Sequence, residues 1–317
     1  MKLSLTTLWS ATTLLPMPTF STSNIPDMAG KTVIVTGANS GIGRVAASAL
    51  ADHGARVILA VRNTEKGDAA AAQMPGTTEV RRLDLASLAS VNEFAAAWDG
   101  PIDLLINNAG IMIPPLSRTA DGFEMQLGTN HLGHFALTNL LLPHVTGRVV
   151  TVASGAHRMG HVDFDDLNWE RKSYKAWRAY GQSKLANLLF TAELQRRLSA
   201  AGSDVLANAA HPGYSATNLQ SHSENRLMEV LMAIGNRVIA QDDNGGALPT
   251  LYAALADVPG NSYAGPSGFM EGRGAPTLVG RSKEALDMEV ARRLWDVSEQ
   301  LTGVSFPLAA QPVSTRP

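Results

Sequence analysis

The chain has 317 residues, of which 45% are hydrophobic and 17% charged, with a net charge of −2 and no cysteine. This is enough apolar material for a sizeable core, and the charge offers no basic field to nucleic acid. The lack of cysteine excludes disulfides, thiolate chemistry and cysteine-held metals, and accords with a reducing, cytoplasmic setting. Met1-Lys2 precedes a run over 3–15 that mimics a short signal peptide. That run is diluted by Ser and Thr and falls short of the roughly 20 apolar residues a bilayer span needs. Residues 1–26 are therefore read as a leader, either disordered or a mis-assigned start with Met17 as the alternative; export or a weak anchor is the competing reading. Residues 27–306 are expected to form the folded unit and 307–317 a tail.

Residues 31–36, Lys-Thr-Val-Ile-Val-Thr, have the β-branched composition of a buried parallel strand. Gly37-Ala-Asn39-Ser40-Gly41-Ile42-Gly43 follows at once, and 44–53 read as a helix ended by Gly54. Strand, glycine turn and helix in that order can cradle a dinucleotide pyrophosphate. Gly37 allows the tight turn, Gly41 lets backbone approach the phosphates, and Gly43 lets the helix pack close with its N–H groups facing the anion. The spacing is G-x-x-x-G-x-G rather than the usual G-x-G-x-x-G, and an unliganded βα turn is the bland alternative. A second strand, 56–61, ends at Arg62-Asn63. An acid at this point would bind the 2′-hydroxyl of NAD, whereas a guanidinium suits the 2′-phosphate of NADP. NADP(H) is thus expected over NAD(H), with a solvated strand-end arginine as the alternative.

Leu83-Asp84-Leu85 follows a third strand, and Asn107-Asn108-Ala109-Gly110 a fourth. Helices are predicted over about 87–98, 122–142 and 175–201, the second holding Asn130 and the third Tyr180-Gly-Gln-Ser-Lys184. Ser154 ends the strand 148–153. Tyr180 and Lys184 would share a helix face. An ammonium beside a phenol of ordinary pKa ~10 would lower that value and ready it for carbonyl and alcohol chemistry. A sixth strand over 204–210 runs into His211-Pro212-Gly213, a seventh lies near 261–264, and a last helix covers about 282–301. The sustained alternation predicts an α/β fold: one domain with a doubly wound, Rossmann-type parallel sheet of about seven strands and helices on both faces.

Taken in order, these motifs resemble the short-chain dehydrogenase/reductase family over about 27–306. The long insert from Ser154 to Tyr180, with Ala156-His157 and Phe164-Asp-Asp-Leu167, resembles the branch of retinol dehydrogenases and protochlorophyllide reductases, as does the run from Tyr180 to Asn187. The resemblance implies a role for each matched residue. Tyr180 would be the general acid in reduction and base in oxidation, and Lys184 would bond the nicotinamide ribose and lower the Tyr180 pKa. Ser154 would orient the substrate oxygen, and Asn130 would hold a relay water. Asp84 and Leu85 would meet the adenine side, with Asn107, Ala109 and Gly110 lining the adenosine. Pro212 and Gly213 would be cofactor-binding, and Thr217 would bind the carboxamide of the nicotinamide. Dimers or tetramers are common in the family, and animal members of the branch often carry a membrane anchor, which this sequence does not show.

Substrate specificity is expected in the loops after the strands. Ile111-Met-Ile-Pro-Pro-Leu116 is one, and the expected lid over 227–239 is another, with Leu227, Leu231 and Ile234 at helical spacing and Met228 and Met232 beside them. Such surfaces suit a lipophilic substrate; packing on the core or on a second subunit is the bland reading. His131/His134 and His157/His161 bring no third ligand, so no metal is expected. The leading expectation is an NADP-dependent oxidoreductase interconverting a lipophilic ketone or aldehyde and its alcohol. Light-driven reduction of a tetrapyrrole C=C bond is disfavoured because that branch uses a cysteine. A catalytically silent dinucleotide sensor is disfavoured because Tyr180, Lys184 and Ser154 are all present.

Overall fold

The computed structural model describes residues 20–213 and 242–309. Eight strands form one sheet: β1 (Thr32–Thr36), β2 (Arg56–Val61), β3 (Thr77–Arg82), β4 (Ile102–Asn107), β5 (Val145–Val152), β6 (Leu206–Ala210), β7 (Tyr263–Pro266) and β8 (Pro276–Leu278). Their spatial order is β3-β2-β1-β4-β5-β6-β7-β8. The first seven are parallel, and β8 turns back antiparallel on β7. The sequence expectation of about seven strands therefore omitted β8, whose three residues begin with a proline and carry no strand pattern of their own.

Strand residues of alternate parity face opposite layers. Ile34, Ile58, Leu105 and Val149 enter one core, with α3 (Leu88–Ala96), α5 (Gly133–Leu141), α6 (Ala176–Ala200) and α8 (Met288–Thr302) contributing Val91, Phe135, Leu194 and Trp295. Val33, Val35, Val57, Leu59 and Ile106 enter the other, closed by α1 (Gly41–Asp52) and α7 (Asp243–Leu255) through Ala47, Leu50, Ala247 and Leu251. Burial on both faces is why these strands read as continuous apolar runs. Side-chain caps set several helix starts: Asn63 accepts from Lys66 N–H to open α2 (Thr64–Ala71), Ser87 from Ser90 N–H to open α3, and Asp287 from Glu289 and Val290 N–H to open α8. The last helix thus starts at Met288 and not near 282.

The helix predicted over 122–142 is present in three pieces. A short α4 (Met125–Leu127) leads through a π turn, Gly128–Leu132, into α5. Wide turns of this kind recur at functional sites, and here the turn carries Asn130. Strand order reverses between β1 and β4, so a crevice opens above their carboxyl ends, the place where α/β sheets hold ligands. Among the described residues, no helix is long and apolar enough to cross a membrane.

Candidate active site

A cleft of about 890 Å³ lies over the carboxyl ends of the strands, toward the upper end of the ~300–1,000 Å³ of ordinary ligand sites. Gly37, Asn39, Ser40, Gly41, Ile42, Gly43, Arg62, Asp84, Leu85, Ala109, Gly110, Ser154, Tyr180, Lys184, Pro212 and Gly213 all line it, so most of the residues singled out in the sequence converge there. Thr217 and the expected lid over 227–239 lie outside the described residues.

One half of the cleft is built from backbone. Gly37 (φ +68°) and Gly41 (φ +56°) take left-handed conformations that only glycine adopts freely. A Cβ on Gly43 would come within 2.3 Å of Asn108 Nδ2 and 2.8 Å of the Gly37 carbonyl oxygen. The N-terminus of α1, at Gly41, faces the cleft and offers unpaired N–H groups to an anion. Thr36 Oγ1 accepts from the N–H groups of Asn108 and Ala109, both at 2.9 Å, and so ties the glycine turn to the end of β4. Arg62 is exposed at the end of β2, with no carboxylate between it and Thr64. Asp84 is held by its own turn, its Oδ1 accepting from Ala86 N–H at 3.0 Å. This set of donors fits a nucleotide diphosphate. Asn107 does not line the cleft: its buried amide donates to Thr138 Oγ1 at 2.8 Å beneath the sheet, and its neighbour Asn108 takes the lining position.

The other half is built from side chains. Tyr180 and Lys184 project from α6, and the Tyr180 phenol is hydrogen-bonded to Ser154 at the end of β5. Lys184 Nζ donates to the Val152 carbonyl at 3.0 Å, a carbonyl shared with Asn187 Nδ2 at 3.1 Å. Asn130 sits just behind: its Oδ1 accepts from Ile111 N–H at 2.8 Å, and its Nδ2 donates to Ile111 O at 3.0 Å and to Ser183 Oγ at 2.9 Å. A Cβ on Gly110 would lie 3.2 Å from Asn130 Oδ1 and 3.4 Å from Lys184 Nζ, so this glycine leaves room for both groups; Lys184 lines the cleft, and Asn130 is fully buried behind it.

The electrostatics depart from the sequence expectation of a phenol lowered by Lys184. Burial pushes Tyr180 up to about 12, with the Ser154 hydrogen bond pulling it partly back. Burial also brings Lys184 down to about 8. Both shifts follow from removing charge from water. The ammonium lies 5.8 Å from the Tyr180 ring centroid and donates to a carbonyl, so desolvation outweighs its pull on the phenol. In the protein alone Tyr180 is thus a protonated donor throughout the neutral range.

The cleft also carries an apolar lining, with Trp177 edge-on to Tyr180. Ile111 and Met112 come from the loop foreseen in the sequence, joined by Met125, Met159, Trp177 and Met270. Trp177 was detectable, being three residues before Tyr180 on one helix face. Met159 and Met270 arrive from the 3-10 turn Gly155–Met159 and from the β7–β8 hairpin, and no local pattern marks them. Arg158, His211 and Glu271 form the polar margin: Arg158 donates to Glu271 Oε1 at 3.0 Å, and Glu271 Oε2 lies 3.1 Å from His211 Nε2.

Comparison with known proteins accords with this geometry. The sequence model described as short chain dehydrogenase matches residues 31–227. Retinol dehydrogenase 13 of Homo sapiens is 46% identical over 297 residues, covering 88% of this chain and 86% of the relative. The crystal structure of an uncharacterized protein from Mycobacterium Paratuberculosis is 53% identical, covers 92% of this chain and 100% of its own, and superposes with a TM-score of 0.81. A structure from Beutenbergia cavernae described as an NAD(P) dependent gluconate 5-dehydrogenase, with bound NADP, is 28% identical over 72% of this chain and 91% of its own, with a TM-score of 0.55. The chain belongs to the short-chain dehydrogenase/reductase family, in its retinol dehydrogenase-like branch, and is an NAD(P)-dependent oxidoreductase acting on alcohol and carbonyl groups.

Proposed function

We propose that the protein, through the unit spanning 27–306, interconverts lipophilic aldehydes or ketones and their alcohols with NADP(H), and that Tyr180 moves the proton. The observation that carries this reading is the convergence of Tyr180, Ser154 and Lys184 beneath a wall of methionines and Trp177. The reduced nicotinamide supplies the hydride. The glycine turn from Gly37 to Gly43 and the α1 N-terminus hold the pyrophosphate, Arg62 meets the 2′-phosphate, and Asp84, Leu85, Ala109 and Gly110 border the adenosine. Lys184 and Thr217 serve the nicotinamide side.

Tyr180 is the acid in reduction, since its raised pKa keeps the phenol protonated at neutral pH and able to donate to the developing alkoxide. Ser154, bonded to that phenol, orients the carbonyl oxygen toward it. Asn130 and Lys184 lie behind the phenol as the return route for a proton. In oxidation the same tyrosine must first ionise, so that direction gains as pH rises while reduction does not. The apolar wall favours hydrocarbon near the reacting carbon, and the name of the retinol dehydrogenase relative describes an enzyme for such an alcohol.

The test is Tyr180→Phe. Acid catalysis of this kind contributes about 10²–10⁴-fold, so NADPH-dependent turnover of a long-chain aldehyde should fall at least a hundredfold while NADPH affinity stays within threefold. A Phe variant that keeps most of its turnover would refute the assignment.

A further inference from the structure

His157 lies in the 3-10 turn Gly155–Met159, directly after Ser154, and is fully buried. Both ring nitrogens are engaged. Nδ1 lies 2.7 Å from the Ser154 carbonyl oxygen, and Nε2 lies 3.2 Å from the backbone N–H of Ser282. A backbone N–H only donates, so Nε2 is the acceptor and Nδ1 carries the proton. The ring is therefore neutral in one fixed tautomer, and its Nδ1–H donates to Ser154. The backbone N–H of His157 reaches the same carbonyl at 3.0 Å. That carbonyl would not be orphaned without the ring, so the side-chain bond steers the peptide more than it satisfies it. Tyr263 packs edge-on to the ring, with centroids 5.6 Å apart, and the Ser282 bond holds the far end. Ser154 Oγ is set from its own side by Ala156 N–H at 3.2 Å and by the Tyr180 phenol.

We propose that His157 is a positioning residue for the reaction: its Nδ1–H fixes the Ser154 peptide, and thereby the angle at which the Ser154 hydroxyl meets the Tyr180 phenol and the substrate oxygen. The inference rests on the reading that Ser154 orients the substrate. It is distinct from core packing because the two ring nitrogens do different things, one holding the catalytic turn and the other holding the loop at Ser282. A misplacement of about 1 Å at a reacting group can cost ~100-fold.

The two nitrogens can be separated. The Asn side-chain nitrogen can occupy the position of Nδ1, and the Gln side-chain oxygen that of Nε2. H157N keeps the donor to Ser154 and gives up the link to Ser282; H157Q does the reverse. Steady-state kcat and KM for octanal with NADPH, together with NADPH affinity by fluorescence and the circular dichroism melt, would be measured on full-length protein for H157N, H157Q, S154A and the two double variants. H157Q should lower kcat ten- to a hundredfold, with KM and NADPH affinity within threefold. H157N, although smaller, should restore at least tenfold over H157Q. In the S154A background the two substitutions should become indistinguishable, because the group they position is gone. H157N equal to or worse than H157Q would show that the ring only fills space, and a further loss from H157Q on top of S154A would show that it acts elsewhere; either result overturns the proposal. S154A turning over at the wild-type rate would instead sink the parent reading of Ser154, whatever the histidine variants do.

Discussion

The two halves of the cleft are made differently. The nucleotide half, from Gly37 to Gly43 and on to Asn108 and Ala109, relies on backbone N–H groups and the absence of side chains. The reacting half relies on buried polar side chains brought together from β5, the π turn and α6: Ser154, Asn130, Tyr180 and Lys184. Buried neutral histidines flank it, each with one ring nitrogen on backbone. His134 Nδ1 lies 3.0 Å from the Asn130 carbonyl and its Nε2 2.9 Å from Thr36 Oγ1, while His211 Nδ1 accepts from Gly213 N–H at 3.2 Å. A half that depends on missing side chains fails on added volume. A half set among buried titratable groups responds to pH as well.

The largest expected effect sharpens that contrast through acid. Burial lowers His131 to about 3 and His134 and His211 to about 4. These folded values lie below the ordinary histidine value, so the unfolded chain binds more protons as pH falls through about 6.5. Their contribution is intact above that pH and is lost progressively toward pH 4. Three such groups steepen the loss to about 4 kcal/mol per pH unit. Glu124, whose carboxyl is raised by burial, opposes part of it. Urea unfolding followed by tryptophan fluorescence at pH 7.5, 6.0 and 5.0 would read this slope; constant stability down to pH 5 would break the comparison.

Added volume is the next lever. A methyl group on Gly43 must displace Asn108 Nδ2, which donates to the Thr36 carbonyl at 2.8 Å. Gly43→Ala should weaken NADPH binding by roughly a hundredfold, near ~2.7 kcal/mol, in a protein whose stability still shows the acid profile above. Fluorescence titration checks it, and affinity within threefold of wild type would show that the turn has slack. Arg62→Asp is gentler, because the side chain is exposed. It should lower NADPH affinity by one to two orders of magnitude, about 1.4–2.8 kcal/mol, with NADH little changed. Equal wild-type affinity for the two cofactors would remove the basis for assigning Arg62 to a phosphate.

The same contrast explains what was legible in the sequence. Glycines and a β-branched run mark a backbone site locally, so β1, the turn and α1 were readable in order, and Tyr180 and Lys184 were visible as an i, i+4 pair on a long helix. The sign of the Tyr180 shift was not, since it depends on burial by distant elements. Helix α7 carries no helical pattern of its own, because Gly245, Gly246 and Pro249 lie within it and its stability comes from packing Ala247 and Leu251 on the sheet. The Met270 contribution was equally hidden: Met270 (φ +51°) and Glu271 (φ +55°) sit in a left-handed kink of the β7–β8 hairpin that only β8 pairing brings to the cleft. The sequence does not separate Asn107, the last residue of β4, from Asn108 just beyond it, since only alternation across the sheet decides which faces the cleft.

The claim that this is an enzyme for lipophilic carbonyls meets its most direct test in a homologous series of straight-chain aldehydes, from propanal to decanal, with kcat/KM measured by NADPH consumption. Each methylene buried against Met112, Met125, Met159, Trp177 and Met270 should add up to ~0.8 kcal/mol, so efficiency should climb up to about fourfold per carbon until the wall is covered. A flat series, or a sugar or short hydroxy acid outperforming decanal, would contradict the account.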